Sequence, residues 1–292
     1  MNKVSSKISV VIPTYNSWKT IKDCLDSINR QSVKPREVIV VDNASSDGTG
    51  ENVKKHFPEV KLVSLNKNTG VSGGRNAGIK AARDYDYIFF FDHDMVAEKE
   101  MLRQMLKVAN SGEQMGIVTP KIFYWEDRKR VWAAGTGINL WTGQVIFRGG
   151  KDRGQFDTDM EVQVAPAALF VKKQVIDKVK GFEEKYFATY EDTDFCFRAK
   201  SLGFKTYYAA KAIAWHKIPL ESKSEAVRLL SRSYYVAKNR ILFMKDFGKS
   251  YFVFLLFLPI YALFYLRLAL RYNKFKDWTS YLKGTFDGLT FK

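Results

Sequence analysis

Two carboxylates stand directly after a strongly apolar run. Residues 88–91 read IFFF and are followed by Asp92, His93 and Asp94. Carboxylates a few ångströms apart at a buried strand end repel each other and lose hydration. A divalent cation removes both costs, and such oxygen ligands suit Mg²⁺ or Mn²⁺, which usually share their coordination shell with substrate phosphates. Taken alone, the tripeptide fits equally well a solvated Asp92 and an Asp94 that caps a following helix.

A second acidic group comprises Glu191, Asp192 and Asp194. Three carboxylates within four residues favour a raised pKa for at least one of them. A carboxylate in such a group can take the proton of an attacking hydroxyl. Taken alone, the group is better explained as the first turn of a solvated helix, where acidic residues are favoured.

The elements that must position these residues alternate between strands and helices. The predicted strands are 8–12, 37–41, 60–65 and 87–91, and the predicted helices are 17–31, 50–56 and 76–82. The alternation favours an α/β fold with an open, mostly parallel sheet flanked by helices.

Polar residues follow three of the predicted strands. These tips are residues 14–16 (TYN), 42–43 (DN) and 92–94 (DHD). Ligands of open α/β sheets bind beyond the carboxyl ends of the strands. We therefore expect the three tips to meet at one crevice.

The pattern is less regular beyond residue 110. Residues 132–157 contain many glycines and polar side chains, which predicts a mobile connection or loop. We expect another strand at 163–172 and an amphipathic helix at 226–247.

Positive charge is concentrated toward the C-terminus. Residues 199–292 contribute +12 of the net charge of +16. Such asymmetry suggests an anionic partner, either phospholipid or nucleic acid. Because the basic segment adjoins an apolar run and no recognised binding module, we expect no nucleic-acid partner. The two cysteines, Cys24 and Cys196, fit no metal motif and suit a reducing cytoplasm.

An uncharged run of 16 residues, 251–266, is interrupted by Pro259 and flanked by basic residues. A membrane-spanning helix needs about 20 apolar residues. The run is compatible with a tilted span, a re-entrant hairpin or helices lying in the interface. A buried core helix or a contact within a homo-oligomer is the alternative. The basic and aromatic flanks favour association with an anionic membrane surface.

The order of the motifs resembles the family 2 glycosyltransferases, which have the GT-A fold and invert the anomeric centre. The residues that carry this resemblance are 13–16 (PTYN), 42–49 (DNASSDGT), 68–70 (NTG), 74–78 (GRNAG), 92–94 (DHD), 181–184 (GFEE), 190–195 (YEDTDF) and Arg198. The resemblance covers roughly residues 7–245. Residues 154–157 (GQFD) and 232–240 (RSYYVAKNR) are most similar to the rhamnosyltransferase-like branch of bacteria and archaea.

The resemblance implies a Rossmann-like GT-A domain at 1–220 and a helical, membrane-associating extension at 221–292. It also implies a nucleotide pocket, whose residues would be Pro13, Thr14, Tyr15, Asn16, Asp42, Asn43, Arg75, Asn76 and Asp92. Among these, Asp42 would accept a hydrogen bond from N3–H of uracil or thymine. Arg75 and Asn76 would hold the nucleotide near its diphosphate, and Asp92 would lie near the ribose and metal.

The catalytic positions follow from the same resemblance. Asp94 and His216 would bind Mn²⁺ or Mg²⁺, Asp192 would be the catalytic base, and Glu191 would hold the acceptor. Inverting transfer needs such a base and positive charge on the leaving diphosphate.

The implied activity is metal-dependent transfer of a sugar from a nucleotide-diphosphate donor, with UDP- or dTDP-sugars favoured. The acceptor would be a hydroxyl of a lipid-linked or cell-surface polysaccharide at the cytoplasmic face of the cell membrane. Residues 164–168 depart from the family pattern, because many relatives have a Gly-Ala pair where this chain has Pro166. The identity of the sugar therefore does not follow from the resemblance.

Two other functions are compatible with parts of the sequence. Residues 92–96 fit the D-x-D-x-[TV] pattern of phosphohydrolases, although here the motif follows the fourth strand and Asp42 is left without a role. A non-catalytic adaptor on the membrane surface would use the basic tail and bind no nucleotide.

Overall fold

Strands and helices alternate from residue 8 onward in the computed structural model, which describes residues 6–291. The strands are β1 (Ile8–Thr14), β2 (Glu37–Asp42), β3 (Lys61–Ser64), β4 (Tyr87–Phe91), β5 (Met95–Ala97), β6 (Met115–Tyr124), β7 (Arg130–Ala133), β8 (Thr136–Ile138), β9 (Val145–Phe147), β10 (Gly150–Lys151), β11 (Met160–Val162), β12 (Ala168–Lys172) and β13 (Lys205–His216). The helices are α1 (Trp18–Asn29), α2 (Thr49–His56), α3 (Gly70–Ala81), α4 (Met101–Ala109), α5 (Lys173–Val179), α6 (Glu191–Ser201), α7 (Ser222–Ser231), α8 (Ser233–Phe247), α9 (Tyr251–Leu255), α10 (Leu258–Arg271) and α11 (Phe275–Thr290). Residues 1–5 and 292, at the outer ends of the two predicted domains, lie outside the described residues.

The central sheet has the strand order β10-β7-β6-β12-β4-β1-β2-β3. Strands β3, β2, β1 and β4 are parallel, and β12 is inserted antiparallel between β4 and β6. Strand β13 runs parallel to β6 and also pairs with β5 and β11. Because most of the long strands point the same way, the predicted mixed, mostly parallel sheet flanked by helices is confirmed.

Both faces of the sheet are buried, as the apolar strands predict. In β4, Phe89 and Phe91 pack into one core with α1 and α4, whereas Ile88 and Phe90 pack into the other. Successive side chains of a strand point to opposite faces. The tip of β4 is therefore held rigidly between two cores.

Helix α3 begins at residue 70, six residues earlier than predicted. Its first turns are rich in glycine, which weakens the helical signal of a sequence. The glycines allow close approach to the sheet: a Cβ at Gly78 would lie 2.2 Å from Cγ1 of Val11, and one at Gly74 would lie 2.7 Å from Nδ2 of Asn43. Packing rather than propensity therefore determines where this helix begins.

The segment 132–157, predicted as a mobile connection or loop, contains short strands that the sequence did not indicate. Strands β8 and β9 form a hairpin there, and β7 and β10 extend the main sheet. Strands of two to four residues separated by glycine turns are too short to show a period of two. Likewise the strand expected at 163–172 forms only from residue 168, because Pro166 has no N–H and Ala167 has a positive φ of 60°.

The C-terminal residues form helices, but the helix expected at 226–247 is divided. Arg232 separates α7 from α8, and α8 packs into the core through Ile241, Phe243 and Met244. Helix α11 packs so closely on α8 that a Cβ at Gly284 would lie 2.2 Å from the Tyr234 carbonyl oxygen. The boundary at residue 220 between two domains stays a prediction.

Helices α9 and α10 form one apolar stretch, Tyr251–Arg271, of 21 residues. By length and composition it is sufficient to cross a membrane, and 17% of its most apolar window is buried within the described chain. Large apolar side chains on its outer side are exposed, among them Phe252, Leu256 and Leu263. The predicted C-terminal apolar helix is thus present.

Candidate active site

Asp92, Asp94 and His216 form a cluster beyond the end of β4. One potential ligand atom of each residue lies within 4.8 Å of the others. The cluster forms because β13 pairs with β5 so that His216 is opposite Met95, next to Asp94. Nε2 of His216 lies 3.2 Å from Oδ1 of Asp94.

The chemistry of this cluster fits a divalent metal ion. Two carboxylates and an imidazole are ligands that Mn²⁺ accepts, and carboxylates are the usual protein ligands of Mg²⁺. Burial acts to raise the pKa of the Asp94 carboxyl, but the neighbouring His216 outweighs it and holds that pKa below its usual range. Burial raises the pKa of Asp92, and the charge of Arg75 offsets this only in part.

Arg75 connects the β4 tip with the second acidic group. Its side chain is fully buried, and its guanidinium contacts Asp192 and lies 3.1 Å from Oδ1 of Asp92. Oε1 of Glu191 is 3.9 Å away. Burial acts to lower the pKa of Arg75, but the three carboxylates outweigh it and raise the pKa above its usual value. Arg75, which was predicted to hold the diphosphate, is therefore the central cation of an internal ion-pair network.

Glu191 and Asp192 begin α6. The two preceding residues, Thr189 and Tyr190, both have φ of 67°, and this unusual backbone turns the acids toward Arg75. Oδ2 of Asp192 also accepts a hydrogen bond of 3.0 Å from the backbone N–H of Ala167. Two contacts from different elements thus fix the Asp192 carboxylate.

Glu191 differs from Asp192 in its surroundings. Burial, followed by the charge of Asp192, raises the pKa of Glu191 to about 8. Its Oε2 is buried and has no hydrogen-bond partner among the described residues. The expectation of a raised pKa in this acidic group is confirmed. Asp194 instead pairs with Arg198 at 2.7 Å, on the far side of the helix start.

A cavity of about 1190 Å³ joins these acids to the strand tips. Among the predicted nucleotide-binding residues, its lining includes Pro13, Thr14, Tyr15, Asn43 and Asp92. Asp94, His216, Glu191 and Asp192 line the same space. The structure therefore brings the predicted metal, base and strand-tip residues together.

Four other predicted nucleotide-binding residues do not line this cavity. Asp42 is buried and accepts a hydrogen bond from the N–H of Ser45, and Asn16 accepts one from the N–H of Ser46. Both therefore shape the loop after β2. Arg75 is fully buried and does not line the cavity. Asn76 bridges to the backbone N–H and carbonyl of Phe182.

Two further residues support the site, and of these Trp132 lines the cavity. Trp132 packs edge-on against His216, with ring centroids 4.6 Å apart. Nδ2 of Asn239 donates to the carbonyls of Ala188 and Thr189, which supports the turn before Glu191. Residues 232–240 carry part of the family resemblance, but their sequence does not indicate the contacts of Asn239.

Residues 9–178 match the model of the family described as Glycosyl transferase family 2. The chain belongs to this family. Membership disfavours the phosphohydrolase alternative, and the rhamnosyltransferase-like branch stays a prediction.

Relatives extend the similarity along the chain. AmsB of Erwinia amylovora, an amylovoran biosynthesis glycosyltransferase, is 27% identical over 235 residues, covering 75% of this chain and 74% of AmsB. The glycosyltransferase AglE of Haloferax volcanii is 25% identical over 252 residues, covering 80% of this chain and 73% of AglE. YfnE of Bacillus subtilis is 36% identical over 129 residues, which are 41% of this chain. The match spans only about a third of YfnE (32%).

Solved structures show the same fold. The mannosyltransferase PcManGT from Pyrobaculum calidifontis, in complex with GDP-Man and Mn²⁺, superposes with a TM-score of 0.62 at 17% identity, covering 99% of this chain and 89% of PcManGT. TarS of S. aureus gives 0.53 at 22% identity and covers 83% of this chain and 44% of TarS. At these identities the likeness concerns the fold alone, and it confirms the GT-A fold of this family 2 member.

Replacing Arg75 by methionine should destabilise the protein strongly. Removing one partner of a buried ion-pair network leaves uncompensated charge and costs about 3–5 kcal/mol. We expect that loss in the free energy of unfolding measured by urea denaturation at pH 7. Arg83→Met, at an exposed site just after α3, should change it by less than about 0.5 kcal/mol. Equal stability of Arg75→Met and the parent chain would show that the carboxylates do not depend on this guanidinium.

The raised pKa of Glu191 predicts a pH-dependent contribution to stability. Between its ordinary pKa of 4.5 and the folded value of about 8, the folded chain binds a proton that the unfolded chain has lost. Stability contributed by this residue therefore falls as the pH rises through that window. Glu191→Gln cannot ionise, so its stability relative to the parent should increase from pH 5 to pH 8, by up to about 1.4 kcal/mol per pH unit.

Metal-free urea denaturation at several pH values measures this difference. The exposed neighbour Glu183→Gln provides the control and should follow the parent chain. A constant difference between Glu191→Gln and the parent across the window would contradict a protonated Glu191.

Proposed function

We propose that this chain transfers a sugar, with inversion, from a nucleotide-diphosphate donor to an acceptor hydroxyl. One observation carries the proposal: Asp192 and the Asp92–Asp94–His216 cluster face one cavity and are linked by Arg75. A base and a site for positive charge on the leaving group are the two requirements of such a displacement.

Asp92, Asp94 and His216 would hold Mn²⁺ or Mg²⁺. A bound ion supplies charge stabilisation of the leaving diphosphate. The proposal is supported by PcManGT, solved with GDP-Man and Mn²⁺, and by GalNAc-T7, solved with UDP, GalNAc and Mn²⁺.

The nucleotide would lie against the ends of β1 and β2. Tyr15 is 47% exposed, so its ring is available to a base, and Thr14 and Asn43 line the cavity beside it. A preference for uracil or thymine comes from the family resemblance, in which the Asp42 carboxylate would accept from N3–H; in this structure that carboxylate is buried and accepts from the Ser45 N–H. On this basis we favour UDP- or dTDP-sugars, and GDP-sugars are the alternative that must be tested.

Asp192 would act as the catalytic base. The acceptor oxygen bonds to the anomeric carbon as the bond to the diphosphate breaks, and the hydroxyl proton passes to Asp192. Arg75 and the Ala167 N–H hold the carboxylate in place throughout. Glu191, neutral below pH of about 8, can donate a hydrogen bond from its carboxyl to another acceptor oxygen.

A lipid-linked or polysaccharide acceptor is the part of the proposal that depends on the C-terminal helices. Ile260 and Phe264 of α10 line the cavity, so an apolar group bound there would lie beside the acceptor site. Polysaccharide synthesis is also supported by AmsB and by the succinoglycan biosynthesis protein ExoO of Rhizobium meliloti, which is 37% identical over 112 residues. We propose association with the cytoplasmic face of the cell membrane.

Two variants should distinguish nucleotide binding from catalysis. With UDP, dTDP or GDP and Mn²⁺, the parent chain should show a raised melting temperature, since a ligand at 100 times its Kd stabilises by about 2.7 kcal/mol. Asp94→Asn should lose the Mn²⁺-dependent part of that shift. Asp192→Asn should keep it but lose about 10²–10⁴-fold in transfer rate, because only the base is removed.

Differential scanning fluorimetry and a transfer assay with the corresponding nucleotide-sugars measure these effects. Asp177→Asn, at an exposed site on α5, should behave as the parent. Absence of any nucleotide effect would favour the adaptor alternative, and full transfer by Asp192→Asn would remove its role as base.

Membrane binding should depend on the outer side of the apolar stretch Tyr251–Arg271. Phe252 and Leu256 are 73% and 61% exposed. Burying such a side chain contributes about 1.5–3 kcal/mol. The double variant Phe252→Ser with Leu256→Ser should therefore partition at least about tenfold less onto vesicles containing phosphatidylglycerol. Leu202→Ser, exposed in the sheet-containing part, serves as the control. Equal sedimentation of all three proteins with vesicles would contradict a role of this apolar stretch in membrane binding.

A further inference from the structure

Three arginines line one wall of the large cavity at spacings of four and eight residues. They are Arg228, Arg232 and Arg240. Helix α7 continues into α8 with only Arg232 between them, so positions four apart fall on the same side. At one end of this cationic wall Arg228 lies close enough to Asp94 for the charge of that carboxylate to act on its pKa, and at the other end Arg240 packs on Tyr261 of α10.

Arg240 is buried without a counterion. It is only 8% exposed, its Nε donates to the hydroxyl of Tyr190 at 3.3 Å, and its guanidinium lies 3.9 Å from the centroid of the Tyr261 ring. Among residues 6–291 its Nη1 has no hydrogen-bond partner, and no carboxylate lies within 4 Å. A buried cation in this state is unfavourable unless something else supplies negative charge. Arg75, by contrast, has three carboxylates within 4 Å of its guanidinium.

Arg228 shows a related shortage of negative charge. Its Nε is buried and has no hydrogen-bond partner within the described part of the chain. Burial, followed by the charge of Arg232, lowers its pKa, and the carboxylates of Glu225 and Asp94, which also line the cavity, offset this only in part. The wall therefore presents unneutralised positive charge to the cavity.

The surroundings of the wall combine this charge with apolar surface. Tyr190, which contacts Arg240, directly precedes the acids Glu191 and Asp192. On the other side, Ile260 and Phe264 of α10 line the cavity and are 59% and 49% exposed. A ligand that fits both the cationic wall and the apolar surface of α10 has a phosphate next to a hydrocarbon chain.

We infer that Arg228, Arg232 and Arg240 bind the phosphate of a lipid-linked acceptor, whose hydrocarbon lies along α10. The inference rests on the proposed function, since it takes the acceptor hydroxyl to be at Asp192. The sugar that receives the transfer then occupies the space between Asp192 and Arg240. A phosphate in the cavity supplies the negative charge that the guanidinium of Arg240 lacks within the chain and that Arg228 has only in part.

Calorimetric titration of the full chain with farnesyl phosphate tests this subsite. EDTA is present, so that no metal ion can hold the phosphate at Asp92 and Asp94. Farnesyl phosphate should bind about tenfold or more tightly than farnesol. Arg232→Gln and Arg240→Gln should each weaken it about tenfold, the size expected for one charged hydrogen bond. Arg240→Lys should retain part of the affinity.

Arg267→Gln is the matched control, because Arg267 is exposed on α10 and does not line the cavity. It should bind farnesyl phosphate as the parent does. If it weakens binding as much as Arg232→Gln, the effect is general attraction and the subsite is refuted. Arg232 is exposed, so its variant keeps the test valid even where circular dichroism shows that Arg240→Gln fails to fold.

Other outcomes would also overturn the inference. Equal affinity for farnesol and farnesyl phosphate would exclude a phosphate site, and equal affinity for inorganic and farnesyl phosphate would exclude the lipid. Variants that weaken UDP binding with Mn²⁺ but leave farnesyl phosphate unaffected would assign the arginines to the donor. If the parent binds no nucleotide while farnesyl phosphate still depends on Arg232 and Arg240, the proposed function fails and the subsite stands.

Discussion

The buried guanidinium of Arg75 is the interaction on which the site depends. It holds Asp92 at the end of β4 and Asp192 at the start of α6 within contact of one group. Without that cation, the carboxylates of the two acidic groups would repel each other across a poorly hydrated space, a cost that Arg75 removes. The arginine reaches this position because the glycine-rich α3 packs directly on β1. Close packing of a helix, rather than any property of the acids themselves, therefore makes one site of two motifs.

A second constraint is the backbone around the catalytic carboxylate. Ala167 has a positive φ, which costs a residue with a Cβ about 1–2 kcal/mol. In this conformation its N–H donates to Asp192, and a hydrogen bond to a charged group contributes about 1.5–3 kcal/mol. The two effects are of similar size, so the bond can offset the strain. Pro166 and the left-handed Ala167 thus shape the cavity where relatives were expected to have a Gly-Ala pair.

The sequence predicted the parts of the site that adjoin strands. Apolar runs identify β1, β2 and β4, and the polar residues after them were correctly expected to meet at one edge. The sequence could not predict which residues would pair across long distances. Asp192 is 117 positions from Arg75, and His216 reaches Asp94 only through the register of β13 with β5. Neither contact leaves a periodic signal, and strands as short as β9 and β10 leave none either.

The overall charge is a further example of what the sequence could not predict. The excess of +12 in residues 199–292 indicates an anionic partner but not where that partner binds. Three of these cations line the cavity, and one of them, Arg240, is only 8% exposed. A membrane surface can attract an exposed lysine, but it cannot neutralise a guanidinium enclosed between Tyr190 and Tyr261. An anion small enough to enter the cavity can do so, which is why the burial of Arg240 argues for a bound phosphate more strongly than the net charge does.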